Sequence, residues 1–122
     1  MTSRTDETVR LNIPARAEHA HLARLTTASV AARLAFSYDE VEDVRIAVGE
    51  LCGVLVDGAT DSRIEFLCRV TNDALEIEAR RDPAGADVEL DDLSRQILEA
   101  VTDEARVHDS GTGITVRKHR RG

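Results

Sequence analysis

Apolar and polar residues alternate along five short stretches of the chain, which is the pattern of half-buried β-strands. Asn72-Asp73 separates two of these stretches and Ser110-Gly111 separates two others, so two hairpins are expected. Pro14 closes the first stretch because proline lacks the amide hydrogen that continues a ladder. The alternating apolar residues are Val9, Leu11, Ile13; Ile64, Phe66, Cys68, Val70; Leu75, Ile77, Ala79; Ala105, Val107; and Ile114, Val116.

Three other stretches carry apolar residues three and four positions apart, which predicts amphipathic helices. The first runs from Ala17 to Phe36. The second follows Ser37 and Glu40, which form an S-x-x-E capping box at a helix start. The third follows a predicted polar loop, Arg81–Asp91, and an earlier loop is predicted over Gly58–Ser62. The expected buried stripes are Leu22, Leu25, Ala28, Ala32, Ala35; Val41, Val44, Val48, Leu51, Leu55; and Leu93, Ile97, Val101.

The predicted order β-α-α-β-β-α-β-β indicates an α/β chain of the α+β two-layer sandwich type. Its sheet is expected to be mixed, mostly antiparallel, with about five strands and the helices on one face. A length of 122 residues suits one domain. Residues 1–8 are polar and are predicted to be a disordered N-terminal arm, and residues 120–122 a tail.

The net charge of -7 argues against nucleic acid and anionic membranes as partners. The polar N-terminus and the lack of an 18-residue apolar run predict a cytoplasmic protein without a membrane span. The basic run from Arg117 to Arg121 is expected to be solvated. Cys52 and Cys68 fall in apolar-periodic segments and are interpreted as core thiols. The four histidines show no metal-ligand grouping, so no metal site is predicted.

One carboxylate stands out on the second helix. Glu50 follows the apolar turn Ile46–Val48 and lies on a different stripe from the Val/Leu face. A carboxylate beside an apolar surface could act as a general base. A solvated helix glutamate is the alternative, and spacing alone favours it.

The segment from Asp43 to Cys52 resembles the start of the N-box of GHKL-type (histidine-kinase-like) ATPases, above all the anti-sigma serine kinases of the RsbW and SpoIIAB type. Leu22–Ser29 resembles the first helix of that family, and Gly111–His119 resembles its last strand. The resemblance implies one GHKL-like domain over residues 9–119.

The resemblance also implies which residues would hold ATP and magnesium, and several are missing. Glu50 matches the N-box glutamate, but Val54 stands where the magnesium-binding Asn is expected. Arg81 stands where the adenine-binding Asp is expected. A glycine-rich lid is absent, since Gly85 is the only glycine between Gly58 and Gly111. We therefore expect no cofactor, with ATP and magnesium bound only if the site is still functional, and Glu50 as a vestigial catalytic residue.

The family's partner surface is better matched. Arg24 falls where a basic residue of the first helix engages acidic groups of partners, and a solvated arginine is the alternative. The resemblance implies a sigma factor and a STAS-type anti-anti-sigma protein as partners, and a homodimer. Three functions stay open: an anti-sigma regulator, an ATP-dependent serine kinase acting on the antagonist, or a GHKL-like module repurposed to bind another protein. Enzymatic activity is the less expected reading.

Overall fold

The computed structural model describes residues 7–56, 61–82 and 87–121. Within them five strands form one sheet in the order β1-β2-β3-β5-β4, antiparallel throughout. The predicted α+β fold and element order are confirmed. The elements are β1 (Thr8–Pro14), a 3-10 turn (Ala17–His19), α1 (Ala20–Arg33), α2 (Tyr38–Val56), β2 (Arg63–Val70), β3 (Ala74–Asp82), α3 (Asp92–Val101), β4 (Glu104–Val107) and β5 (Gly113–His119).

Both predicted hairpins are present. β2 and β3 pair around Asn72-Asp73, and β4 pairs with β5 so that Ala105 faces Val116 and Val107 faces Ile114. Alternate strand residues are buried against the helices, because successive strand side chains point to opposite faces. The two cysteines are free and buried, as predicted.

The buried faces of the helices were predicted correctly for only one of the three. On α2, Val44, Val48, Leu51 and Leu55 are buried. On α1 the predicted stripe is wrong: Leu22 and Leu25 are 47% and 49% exposed. The buried residues of α1 are Ala23, Thr27, Val30 and Ala31.

Small side chains let α1 pack closely against its neighbours, which explains this change of face. Thr27 can be fully buried because its hydroxyl donates to the carbonyl oxygen of Ala23, at 2.9 Å. The face of α3 is shifted by one residue, since Leu93 is 65% exposed while Ser94 and Leu98 are buried.

The beginning of α2 is held by polar contacts. Ser37 Oγ accepts from the amide of Glu40 at 3.1 Å, and Glu40 Oε1 accepts from the amide of Ser37 at 2.7 Å, so the predicted capping box is confirmed. The second carboxylate oxygen of Glu40 accepts from the amide of Arg121 at 2.7 Å. Nearby, Lys118 Nζ donates to Asp43 Oδ2 at 2.9 Å.

The basic C-terminal run is therefore only partly solvated, contrary to expectation. Lys118 is 8% exposed. Asp103 accepts from the amide of His119 at 2.7 Å and from the guanidinium of Arg121 at 2.6 Å. These contacts tie the residues after β5 to α2 and to the α3–β4 connection.

Two predicted boundaries fall largely outside the described residues. Of the predicted arm over residues 1–8, only 7 and 8 are described: Thr8 begins β1, and Glu7 pairs with Arg33 at 3.0 Å. The loop predicted over Gly58–Ser62 is described only at 61 and 62. Across the described parts of the chain, none of the helices combines the length and the apolar character needed to cross a bilayer.

Candidate functional site

A cleft of about 1210 Å³ lies beside the C-terminal half of α2. The end of β3 and the segment leading into α3 form its other walls. Glu50, Val54 and Arg81, which the resemblance associates with a nucleotide site, all line this cleft. The fold thus brings the three residues together, while Arg24 is not among the lining residues that the structure describes.

Glu50 already has a hydrogen-bond partner inside the protein. Its Oε2 accepts from Ser94 Oγ, with 2.6 Å between the two oxygens. This length is typical of a hydroxyl that donates to a carboxylate, which is among the stronger hydrogen bonds in proteins. The amide of Ser94 in turn donates to the N-cap residue Asp91, at 2.7 Å. Sequence reasoning missed Ser94, because it lies 44 positions from Glu50 and one residue off the expected apolar face.

Val54 and Arg81 offer no ligand of the kind the resemblance implies. The isopropyl group of Val54 has no oxygen for magnesium, a cation that prefers oxygen ligands. Arg81 is 8% exposed. Its Nε donates to the carbonyl oxygen of Leu55 at 3.0 Å, which satisfies a group that the end of α2 leaves without a helical partner. Its amide donates to the carbonyl oxygen of Thr112 at 3.1 Å.

The charged groups around the cleft are predominantly acidic. Two guanidinium groups, of Arg81 and Arg95, face four carboxylates, so carboxylates exceed cations by two among the described lining residues. No three or more His, Cys, Asp or Glu residues in the described ranges are placed to hold a metal ion together. The four carboxylates belong to Glu50, Asp87, Glu89 and Asp91.

The segment before α3 is anchored on the β4–β5 turn. Val88 is buried, and its amide donates to the carbonyl oxygen of Gly111 at 2.7 Å. Gly111 has a φ of +74°, and a Cβ there would lie 2.7 Å from Asp87 Oδ1. Only glycine meets both the backbone and the space requirement at this position. One wall of the cleft is therefore fixed at Val88 as well as at Ser94.

Arg24 packs across α2 next to the cleft. Its Nη1 lies 3.5 Å from where a Cβ on Gly49 would be, so the bare backbone of Gly49 leaves room for the guanidinium. Burial raises the pKa of the Cys52 thiol to about 11, although the charge of Arg24 acts in the opposite direction. Cys52 is thus a neutral thiol at physiological pH and a poor nucleophile.

Known proteins resemble the chain in sequence. Residues of the chain are 27% identical over 138 aligned positions to the serine-protein kinase RsbW of Bacillus subtilis, covering 93% of the chain and 86% of that protein. They are 44% identical over 55 positions to the RsbW of Halalkalibacterium halodurans, covering 45% of the chain but only 34% of that protein. No family model matches the chain.

The fold is also shared with a solved structure. The crystal structure of the RsbU and RsbW domains of a Mycobacterium tuberculosis protein superposes with a TM-score of 0.72 at 17% identity. The match covers 94% of the chain and 32% of the mycobacterial one. Over more than nine-tenths of its length the chain is thus similar in sequence to RsbW and shares the fold of an RsbW domain, as the resemblance predicted.

Proposed function

We propose that the chain is a protein-binding regulator of the anti-sigma type that sequesters a sigma factor with little or no ATP binding. The observation that carries this proposal is the chemistry of the cleft. The positions implied for magnesium and adenine ligands are taken by an apolar side chain, Val54, and by a buried cation, Arg81.

Arg81 is unsuited to the adenine role for two reasons. The amino group of adenine needs an acceptor, and a guanidinium has only donors. The guanidinium is also held in place, since moving it would leave the Leu55 carbonyl oxygen without this partner. The surplus of carboxylates around the cleft adds repulsion for a triphosphate. Metal, adenine and phosphate contacts are thus all disfavoured together.

A protein kinase acting on the antagonist is the second candidate. It is favoured by the position of Glu50 on the cleft and by the name serine-protein kinase that the bacterial relatives carry. The kinase needs bound ATP, whereas the anti-sigma regulator needs only a protein surface. Nucleotide affinity therefore separates the two candidates.

Calorimetric titration with ATP and magnesium, repeated with ADP, is the decisive measurement. We expect no saturable heat up to millimolar nucleotide from protein that circular dichroism shows to be folded. Saturable binding in the micromolar range, about -8 kcal/mol, would overturn the proposal and favour the kinase.

The partner surface is tested separately. In the proposed complex Arg24 pairs with acidic groups of the sigma factor, and a STAS-type antagonist competes for the same surface. Arg24→Ala should abolish retention of a purified sigma factor, because a guanidinium forks onto carboxylates in a way no small side chain can replace. Arg33→Ala is the matched control, an exposed arginine of the same helix whose only described ion pair is with Glu7. Equal retention by both variants contradicts the role of Arg24. Sedimentation of the same samples tests the expected homodimer.

A further inference from the structure

The hydrogen bond between Ser94 and Glu50 joins α3 to α2. Ser94 is 7% exposed and lies in the first turn of α3. Glu50 is half-buried on α2. Both line the cleft. The contact therefore connects the α3 side of the cleft to its α2 side.

The apolar anchor of α3 is small. Leu98 is its one fully buried apolar side chain, and Ile97 and Val101 are half-buried. Leu93, which the periodicity placed in the core, is 65% exposed. The first turn of α3 has no buried apolar side chain, and the hydrogen bond to the Glu50 carboxylate is made there.

The backbone at and before Ser94 is held by two hydrogen bonds. Its own amide is fixed by the side chain of Asp91, at 2.7 Å. Three residues before that cap, the amide of Val88 is fixed on the carbonyl oxygen of Gly111, also at 2.7 Å. Asp91 and Val88 keep Ser94 in place, so its hydroxyl can reach Glu50 without ordering a flexible segment first.

We propose that the hydrogen bond between Ser94 and Glu50 fixes α3 on α2 without a ligand. The Glu50 carboxylate serves as the acceptor of this hydrogen bond and not as a general base. In a serine-protein kinase the substrate is a serine hydroxyl. Here the hydroxyl of Ser94, a serine of the chain itself, donates a hydrogen bond to the Glu50 carboxylate. Ser94 is thus a positioning residue for α3 and for Glu50.

The test is hydrogen–deuterium exchange of the α3 amides in the full chain. Ser94→Ala and Glu50→Ala should each speed that exchange about tenfold or more, the factor expected for losing a hydrogen bond to a charged group. The double variant should exchange no faster than the faster single variant, because both changes remove the same contact. Amides of β2 and β3 should change much less.

Two control variants complete the design. Ser29→Ala removes an exposed serine of α1, and Glu99→Ala removes an exposed carboxylate of α3; both should leave α3 exchange within about twofold of the parent. Glu50→Gln, which keeps an oxygen acceptor, should fall between parent and Glu50→Ala and replaces it in the cycle if Glu50→Ala does not fold. The proposal is overturned if the rate increases of the two single variants multiply in the double variant, or if Ser94→Ala leaves the exchange rates of the α3 amides unchanged.

Discussion

The two ends of α2 are built from different kinds of contact. At its beginning, Glu40 accepts from the amides of Ser37 and Arg121, and Asp43 accepts from Lys118 of β5. At its end, Glu50 and Val54 face a cleft of about 1210 Å³. The residues at this end of α2 also have hydrogen-bond partners within the protein. Ser94 donates to Glu50, and Arg81 donates to the Leu55 carbonyl oxygen.

Both ends of α2 are thus held by polar contacts within the protein, but only its end borders the cleft. At the beginning of α2, carboxylates accept from two backbone amides and from the buried ammonium group of Lys118. The end of α2 carries the residues that the resemblance links to a nucleotide. In this chain Glu50 accepts from Ser94, and Arg81 donates to the Leu55 carbonyl oxygen, so both make contacts within the protein.

The largest effect is expected at the beginning of α2. Lys118→Ala should lower the free energy of unfolding by about 3 kcal/mol, because it leaves the Asp43 carboxylate without a cation in a partly buried site. Urea denaturation measures the loss. The matched control is Arg69→Ala, whose ion pair with Glu76 lies on the exposed face with the arginine 50% exposed; it should cost less than about 1 kcal/mol. If Lys118→Ala and Arg69→Ala lowered the free energy of unfolding equally, the ion pair at the beginning of α2 would be no stronger than an exposed one.

A smaller effect is expected at the end of α2. Arg81→Met keeps a long side chain but removes the donor to the Leu55 carbonyl oxygen, which should cost about 1–2 kcal/mol. Arg80→Met, at the neighbouring exposed position, should cost less than about 0.5 kcal/mol. The same urea experiment compares them. A stability that Arg81→Met leaves unchanged would mean that the guanidinium does not support this end of the helix.

Acid should weaken the beginning of α2 specifically. The amide of Ser37, aided by the amide of Arg121, holds the pKa of Glu40 below its ordinary value of 4.5 although burial opposes this. Burial also pushes the pKa of Asp103 upward, but the amide of His119 and the charge of Arg121 outweigh it, so its pKa is lowered from 3.8.

The sign of the pH effect follows from these directions. A carboxylate with a lowered pKa in the folded protein adds stability that is fully present above its unfolded value and is lost as pH falls through its folded value. Stability should therefore decline below about pH 4.5. Glu40→Gln should make that decline shallower, as thermal unfolding between pH 3 and 6, roughly spanning carboxyl titration, can record. An unchanged slope would contradict the role of Glu40.

Local patterns predicted the fold because each strand and turn is specified by neighbouring residues. Alternation and the Asn72-Asp73 turn suffice for the β2–β3 hairpin, and the Ser37/Glu40 box suffices for the start of α2. The buried face of α1 could not be predicted in this way. Packing at close range favours Ala23, Thr27 and Ala31 over the larger Leu22 and Leu25, and only the neighbouring elements determine that choice.

The site was predicted only as far as family resemblance reached. It placed Glu50, Val54 and Arg81 at one site, and the fold brings them to one cleft. The partner of Glu50 could not be predicted, because Ser94 lies 44 positions away along the chain. The same holds at the other end of α2, where Lys118 lies 75 positions from Asp43. Such pairs depend on the tertiary fold, which no local period encodes.

The burial of Lys118 has a practical consequence for proteolysis. The sequence contains one lysine, so a protease that cuts only after lysine has one target bond in this chain. That bond lies within β5, where Lys118 pairs with Leu75 of β3. Cleavage requires the end of β5 to detach from β3, and when opening is fast relative to cutting, the cleavage rate reports the population of the open form. A single digestion time course would thus follow the opening of the sheet without any label.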